Sequence, residues 1–185
     1  MKKHIALLLL ITLIITLPVG CKKDEPQADP APGQEQSDQP QPTLVEEEIL
    51  LFYPDKNNNF LLPEFRKVIV KENAGPDEMV EIVLGELIKG TENEMLSSTI
   101  PAHTEVLSFG LDGSSITIDF SEGFIVDSYS SREKLLQVFS VVNTLSELGI
   151  EEMNLFVEGE PVSGHYTSLE AEMPFIRNDE LIPSK

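Results

Sequence analysis

Few residues in this chain could perform nucleophilic catalysis. Cys21 is the single cysteine, and the histidines beyond the first few residues are His103 and His165. A serine or cysteine nucleophile needs a base beside it, and the chain has no G-x-S-x-G sequence to place a serine on a strained turn. With one cysteine, an internal disulfide is excluded. We therefore expect that the protein is not an enzyme.

An oxygen-rich segment imitates the beginning of a calcium-binding loop. Asp55, Asn57 and Asn59 alternate as the first ligands of such a loop do. The sixth loop position requires glycine and holds Phe60, while the twelfth requires glutamate and holds Arg66. Because Asp and Asn are also common in turns, we interpret the segment as a turn and predict no metal or other cofactor.

Three polar residues in predicted strands and helices are candidates for contact with a partner. Glu64 and Arg66 lie two positions apart, so both side chains would point to one side of a strand. A local ion pair is the simpler interpretation of this pair, and a partner contact is the alternative. Asn143 lies in a predicted helix with apolar neighbours on both sides. We expect it to form hydrogen bonds inside the protein, with a binding role as the alternative.

The first twenty residues have the layout of a secretory signal, in which basic residues precede an apolar run. This run is too short to span a bilayer comfortably. The sequence Leu17-Pro-Val-Gly-Cys21 resembles a bacterial lipobox, where a peptidase cuts before a cysteine that carries diacylglycerol. We expect residues 1–20 to be a lipoprotein signal peptide and Cys21 to be the site of lipid attachment, including palmitate. An ordinary signal with an incidental thiol is the alternative.

A hydrophilic segment rich in proline and glutamine follows the cysteine. Its sequence, KKDEPQADPAPGQEQSDQPQPT, lacks the apolar side chains that could offset the entropy lost on folding. We expect residues 21–45 to form a disordered tether and residues 46–177 to form one folded domain. Residues 178–185 are then a flexible C-terminal tail.

The charge of the chain restricts its partners. The formal net charge of −19 becomes −21 when Lys2 and Lys3 are removed with the leader. Such a surface repels both phosphate backbones and anionic lipid headgroups. We therefore expect no nucleic-acid partner, and we expect lipidated Cys21 to hold the protein at the outer face of the cytoplasmic membrane.

Apolar patterns within the domain predict five strands and two helices. The strands are rich in β-branched residues or alternate in polarity, and they lie at residues 48–53, 65–71, 105–109, 114–120 and 153–158. Their order with the helices is strand, strand, helix, strand, strand, helix, strand. This order predicts an α+β fold in which two helices pack on one face of a mixed sheet.

The two helices have clear end signals. Pro76 suits a first helical position and Gly90 a helix end, while Ser130 with Glu133 forms a capping box before a helix that Gly149 can close. Each helix carries an apolar stripe, formed by Met79, Val80, Val83, Leu84, Leu87 and Ile88 in the first and by Leu135, Val138, Phe139, Val142 and Leu145 in the second. We expect both stripes to face the core.

Seven short stretches in this order resemble the GerMN domain of spore germination and sporulation lipoproteins. They are Phe52-Tyr-Pro-Asp55, Leu62-Pro-Glu-Phe-Arg66, Leu87-Ile-Lys-Gly90, Ile100-Pro101 with Thr104, Ile118-Asp-Phe-Ser121, Val141-Val-Asn-Thr-Leu145 and Phe156-Val-Glu-Gly159. The resemblance covers residues 48 to 176. One departure is His103, which stands where family members often have glycine, so we include His103 among the candidate partner-binding residues.

The resemblance implies a non-enzymatic envelope domain similar in fold to the ring-building modules of secretion and sporulation channels. Its partners would be envelope or sporulation and germination proteins, with peptidoglycan and a second copy of the chain as further candidates. We expect a scaffold or assembly factor for such complexes. The alternative is a lipoprotein that binds a small ligand or a cell-wall fragment, and such a protein would need a pocket.

Overall fold

The computed structural model describes residues 42–167, 169 and 172–183. The expected signal peptide, Cys21 and the tether up to residue 41 lie outside the described residues. Among the helices that the structure does describe, none has the length and apolar character needed to cross a membrane.

The predicted elements are all present, in the predicted order. The strands are β1 (Leu44–Pro54), β2 (Leu61–Lys71), β3 (Val106–Asp112), β4 (Ser115–Phe120), β5 (Glu152–Val157) and β6 (Glu160–Pro161). The helices are α1 (Pro76–Lys89), α2 (Ser131–Ser146) and α3 (Val162–His165), with short 3-10 turns at Glu122–Phe124 and Asp179–Leu181. The α+β class is confirmed, and β6, α3 and the 3-10 turns are additions.

The described strands form two sheets, so the expectation of a single sheet is wrong. β1 and β2 pair antiparallel along all 11 residues of each strand and form a two-stranded ribbon. The second sheet has the order β3-β4-β5-β6. It is mixed, because β4 and β5 are parallel while the other pairs are antiparallel. Helix α2 supplies the crossover that a parallel pair requires.

The outer edge of β1 explains why the ribbon does not continue into the second sheet. The backbone N–H of Phe52 donates to Oγ1 of Thr144 in α2 at 2.9 Å. The carbonyl of Pro54 accepts from the N–H of Ser97 at 2.9 Å. A helix side chain and a loop therefore occupy positions at which another strand would pair.

Helix α1 begins and ends where its sequence signals predict. Pro76 is its first residue, with Asp77 and Glu78 in the first turn, where negative charge is favourable. Gly90 follows its end with φ of +89°, and a Cβ atom there would lie 2.2 Å from Oγ of Ser98. Both the backbone conformation and the close contact therefore require glycine at this position.

Helix α2 is buried on all sides rather than along one stripe. The predicted capping box of Ser130 and Glu133 is confirmed, with both reciprocal hydrogen bonds present. Every residue from Leu136 to Leu145 is buried, whereas Leu135 of the predicted stripe is only partly so. A helix buried all round must be covered by more than one layer. Here β1 and α1 both pack against α2, so the simple picture of helices on one face of one sheet needs this correction.

The two ends of the folded domain extend beyond the expected boundaries. β1 begins at Leu44, so its first two residues fall in the segment assigned to the tether. Described residues of the expected flexible tail also pack against the domain. Leu181 is buried, and Asn178 forms two hydrogen bonds with Asn143 of α2. Tertiary contacts with residues distant in sequence hold this end. Its polar composition does not reveal such contacts, and for that reason it suggested a flexible tail.

Candidate interaction surface

Arg66 is the centre of a buried polar network that joins β2 to the end of α1. Its side chain is 6% exposed. Nη1 donates to the carbonyl and a carboxylate oxygen of Glu86, at 3.0 and 3.1 Å, and Nη2 donates to the carbonyl of Gly90 at 2.9 Å and to Glu64. The hydroxyl of Tyr53 donates to the carbonyl of Glu86 at 3.1 Å, and burial raises the pKa of Tyr53, so it remains a donor.

The carboxylates of this network are held in their charged form. Burial alone would raise the pKa of Glu64, but hydrogen bonds from Thr91 and Arg66 outweigh it and lower that pKa. Burial acts on Glu86 in the same way, and hydrogen bonds from Lys89 and Arg66 lower its pKa. The arrangement matches the local ion-pair interpretation of Glu64 and Arg66. A guanidinium enclosed in this way is poorly placed to meet a partner.

Asn143 also forms its hydrogen bonds inside the protein. Its side-chain N–H donates to the carbonyl of Asn178 at 3.0 Å, and its side-chain oxygen accepts from the N–H of Asn178 at 2.9 Å. The interpretation of Asn143 as an internal hydrogen-bonding residue is confirmed.

His103 lies exposed in the loop before β3. It packs closely on Gly123, since a Cβ atom added to that glycine would lie 2.9 Å from the histidine ring.

The four candidate partner-binding residues do not form one site. Glu64 and Arg66 are joined by an ion pair. Within the described residues, no hydrogen bond or ion pair connects this pair to His103 or Asn143. Each of the four residues therefore has to be judged by its own surroundings.

The calcium-like segment is a turn, as predicted. The carboxylate of Asp55 accepts hydrogen bonds from the backbone N–H groups of Asn57, Asn59 and Phe60, at 3.3, 2.6 and 2.9 Å. Burial alone would raise the pKa of Asp55, and these donors outweigh it and lower that pKa. The oxygen atoms that imitate a metal site thus cap the backbone of the β1–β2 turn. In the part of the chain that is described, no three His, Cys, Asp or Glu side chains converge as metal ligands would.

The described histidines have no catalytic neighbours. Nε2 of His165 lies 3.3 Å from the carbonyl of Val157. Over residues 42–167, neither His103 nor His165 forms a hydrogen bond to a serine or carboxylate side chain. The described geometry therefore offers no nucleophile with its base.

The ribbon formed by β1 and β2 has an exposed apolar face that the sequence analysis missed. Phe65 and Ile69 are 65% and 62% exposed, while the alternate residues of β2 point inward. Phe65 lies opposite Leu50, and directly opposite residues share a face of a sheet. Leu44, which is 61% exposed, lies on the same face. We refer to Leu44, Leu50, Phe65 and Ile69 as the ribbon's outer face.

The outer face is covered at one end and open at the other. Phe52 continues the same face, and the guanidinium of Arg177 covers it, 5.5 Å from the ring centroid. Beyond Leu50 no comparable cover is present among the described residues, and Lys67 pairs with Glu46 at 2.7 Å between the apolar side chains. The only signal in the sequence was that Phe65 and Ile69 alternate with the inward Val68 and Val70, which makes β2 apolar on both sides.

Comparisons with known proteins agree with this architecture. A model of the Germane family, described as sporulation and spore germination, matches residues 50–163. Two solved structures come from the sporulation protein GerM of Bacillus subtilis. Its first GerMN domain is 18% identical to this chain with a TM-score of 0.57, and the match covers 72% of this chain and 98% of that domain. Its tandem GerMN domains are 17% identical to this chain with a TM-score of 0.52, and the match covers 72% of this chain and 45% of the tandem structure.

At these identities the structural likeness concerns the fold alone, and the chain spans less than half of the tandem structure. No curated protein sequence matches the chain significantly. The family model, in contrast, matches more than half of the chain and includes both sheets and helices α1 and α2. The chain therefore belongs to the Germane family of sporulation and spore germination proteins and contains a GerMN-type domain.

Proposed function

We propose that this protein is a lipoprotein, anchored outside the cytoplasmic membrane, whose GerMN domain acts without catalysis as a scaffold or assembly factor. Its complexes would be those of the envelope in sporulation or germination. The ribbon's outer face carries the proposal. It is a set of apolar side chains on a regular sheet, of which Leu44, Phe65 and Ile69 are exposed and Leu50 is half-buried.

The outer face has the make-up of a protein contact. Large apolar residues that cluster on a surface mark contact sites more often than isolated ones do. Aromatic side chains such as Phe65 supply much of the apolar area at such contacts. Lys67 and Glu46 lie between the apolar residues and are ion-paired. Glu48, opposite Lys67 on the same face, is exposed and adds a negative charge that a partner would have to match.

Site-specific photocrosslinking in intact cells tests this proposal. A photoreactive residue at position 65 or 69 should capture envelope proteins, because both positions lie on the outer face. Position 95 is the matched control, since Met95 is 72% exposed but lies outside the ribbon. The proposal fails if all three positions capture the same proteins at the same level, or if none captures a protein above background.

Substitution gives a second test of the same surface. Phe65→Ser with Ile69→Ser should reduce recovery of the captured proteins, while Met95→Ser should leave it unchanged. Both variants should retain the circular dichroism spectrum of the parent protein, because exposed side chains contribute little to the core. Unchanged recovery with the double substitution would argue against the outer face as the contact.

Binding of a small ligand or cell-wall fragment remains the alternative function. An open depression of about 640 Å³ lies between the β1–β2 turn and the start of α2 and includes Phe60 and Arg132. Its polar groups bond one another, since Arg132 donates to the carbonyls of Asn58 and Asn59, and Glu133 accepts from Ser130. A rise in melting temperature with soluble peptidoglycan fragments would favour this alternative over assembly.

A further inference from the structure

A groove separates helix α1 from strand β3. Two cavities of about 400 and 370 Å³ lie between these elements. The first is lined by Leu84 and Gly85 of α1 and by residues 106–109. The second is lined by Val80 of α1, by Leu111 of β3 and by residues 148–150, which follow α2. The two cavities share no lining residue but lie at successive positions along α1 and β3, and we refer to them together as the α1–β3 groove.

One wall of the groove is an incomplete sheet. Among the described strands, β3 is the outer strand of its sheet and pairs only with β4. Phe109 lies opposite Ile118 and Leu111 opposite Ile116, so all four side chains share the core face. Ile116 and Ile118 are fully buried, whereas Phe109 and Leu111 stay partly exposed. The face of the sheet that packs on the core is therefore only partly covered at β3. The outer edge of β3 also retains backbone N–H and carbonyl groups to which another strand could pair.

The opposite wall contains a glycine that the packing of the chain does not require. Gly85 lies in the middle of α1, where glycine is a poor helix former. A Cβ atom at this position would meet no atom within 4 Å. The missing side chain therefore serves no contact among the described residues. Its effect is to keep the groove open where α1 faces residues 106–109.

The charge around the groove identifies the chemistry of its occupant. Within the part of the chain that the structure describes, neither cavity is lined by a lysine or arginine, and Glu81 is the one charged residue among the lining side chains. Glu105 precedes β3, and Asp112 ends it. An extended segment with basic residues would meet complementary charge here. A second copy of the chain is disfavoured, because the net charge of −19 makes the copies repel each other.

We propose that the α1–β3 groove binds an extended, apolar segment of a partner protein that carries lysine or arginine, by adding the segment as a strand to the edge of β3. Main-chain hydrogen bonds to β3 would provide affinity. Alternate side chains of the segment would enter the cavities beside Leu84 and Val80, and the others would face the acidic residues. The groove and the ribbon's outer face involve different strands, so this proposal does not depend on the assembly role.

Binding of model peptides to the full chain in detergent tests the proposal. The fluorescence polarisation of a labelled peptide that alternates lysine and valine should rise and saturate as the protein is added. The same peptide with N-methyl groups on alternate residues should not bind, because it cannot pair with a strand edge. A peptide that alternates glutamate and valine should bind at least about tenfold more weakly. Equal binding of the N-methylated peptide, or of the glutamate peptide, would overturn the proposal.

Gly85 provides variants that separate blocking from unfolding. Gly85→Leu places a side chain in the groove and should weaken peptide binding at least about tenfold, with an unchanged or higher melting temperature, because leucine is a better helix former. Gly85→Ala is the matched control, since its Cβ has room, and should bind within a few-fold of the parent protein.

Three further results would contradict the proposal. The first is the absence of saturable binding to the lysine–valine peptide, and the second is unchanged binding by Gly85→Leu. The third is a concentration-dependent dimer in sedimentation that Gly85→Leu abolishes, because it would assign the groove to a second copy. Phe65→Ser should leave peptide binding unchanged, so failure of the ribbon contact and failure of the groove can be told apart.

Discussion

Arg66 shows how one residue can join separate elements. Its guanidinium donates to two carbonyls at the end of α1 and to the carboxylates of Glu64 and Glu86. Bringing these charges out of water is costly, and their mutual hydrogen bonds offset that cost only while all partners are present. Removing the cation would leave the carboxylate of Glu64 without a counter-ion and that of Glu86 with Lys89 alone. Arg66 therefore matters more to stability than an exposed ion pair does.

We expect Arg66→Met to lower the free energy of unfolding by about 3–5 kcal/mol, because partly buried carboxylates lose their counter-charge. Lys67→Met, on the next residue, is the control. Its ion pair with Glu46 is largely exposed, so the change should be within about 1 kcal/mol. Urea unfolding followed by circular dichroism measures both, since the chain has no tryptophan. Equal effects of the two substitutions would contradict the central role of Arg66.

The same network predicts how stability depends on pH. The pKa values of Glu64 and Glu86 are lowered in the folded protein, so their contribution is present above the usual glutamate pKa of 4.5. It is lost as the pH falls through their lowered folded values. Urea midpoints should therefore decrease below pH 4.5. The slope should be smaller in Arg66→Met, and it should not vanish, because the pKa values of Asp55 and Glu133 are lowered as well. An identical slope in both proteins would be inconsistent with this network.

Helix α2 is the central element of the domain. It connects the parallel strands β4 and β5, packs against β1, and binds the described C-terminal residues through Asn143. Three of its buried polar side chains, those of Gln137, Asn143 and Thr144, have distinct partners, whereas Oγ of Ser140 has none among the described residues. Gln137 donates to the carbonyl of Phe124 at 2.8 Å and accepts from the hydroxyl of Tyr166 at 2.7 Å. These bonds orient the helix in a core that apolar contacts alone would specify less uniquely.

The beginning of α2 offers a test at the level of the element. Ser130→Ala removes the side chain that caps the N–H of Glu133 and should lower the free energy of unfolding by about 1 kcal/mol. Ser131→Ala changes the neighbouring residue inside the helix and should have no destabilising effect, because alanine is the better helix former. Thermal and urea unfolding measure both variants. A larger loss for Ser131→Ala would show that the cap is misassigned.

The whole protein is proposed to be a folded domain on a lipid anchor, and this arrangement predicts that anchoring and folding are independent. Cys21→Ala should release or misprocess the protein while the domain from Leu44 onward stays folded, because residues 22–43 include no large apolar side chain with which to dock. Detergent-phase partitioning measures retention, and circular dichroism measures folding.

The fate of the leader is the control for this experiment. An uncut leader could hold the variant at the membrane, so the mass of the protein must be determined alongside fractionation. A fully cleaved Cys21→Ala protein that partitions like the parent would contradict lipid anchoring. The charge of the mature chain gives no second attachment to anionic headgroups.

Local residues were sufficient to predict the elements themselves. The limits of α1 depend on Pro76 and Gly90, and the start of α2 depends on a capping box within four consecutive residues. The alternation of Ile116, Ile118 and Phe120 predicted the buried side of β4, and all three are fully buried. These features follow from the sequence because each depends on neighbours along the chain.

The tertiary structure alone decided which surfaces meet. The split into two sheets depends on contacts such as that of Phe52 with Thr144, which are 92 residues apart. The docking of the C-terminal residues depends on Asn143 and Asn178, 35 residues apart. The exposure of Phe65 depends on which side of β2 the core occupies, and a strand that is apolar on both sides does not reveal this. Periodicity specifies an element and its apolar positions, but the choice of partner is a long-range property that only the folded chain determines.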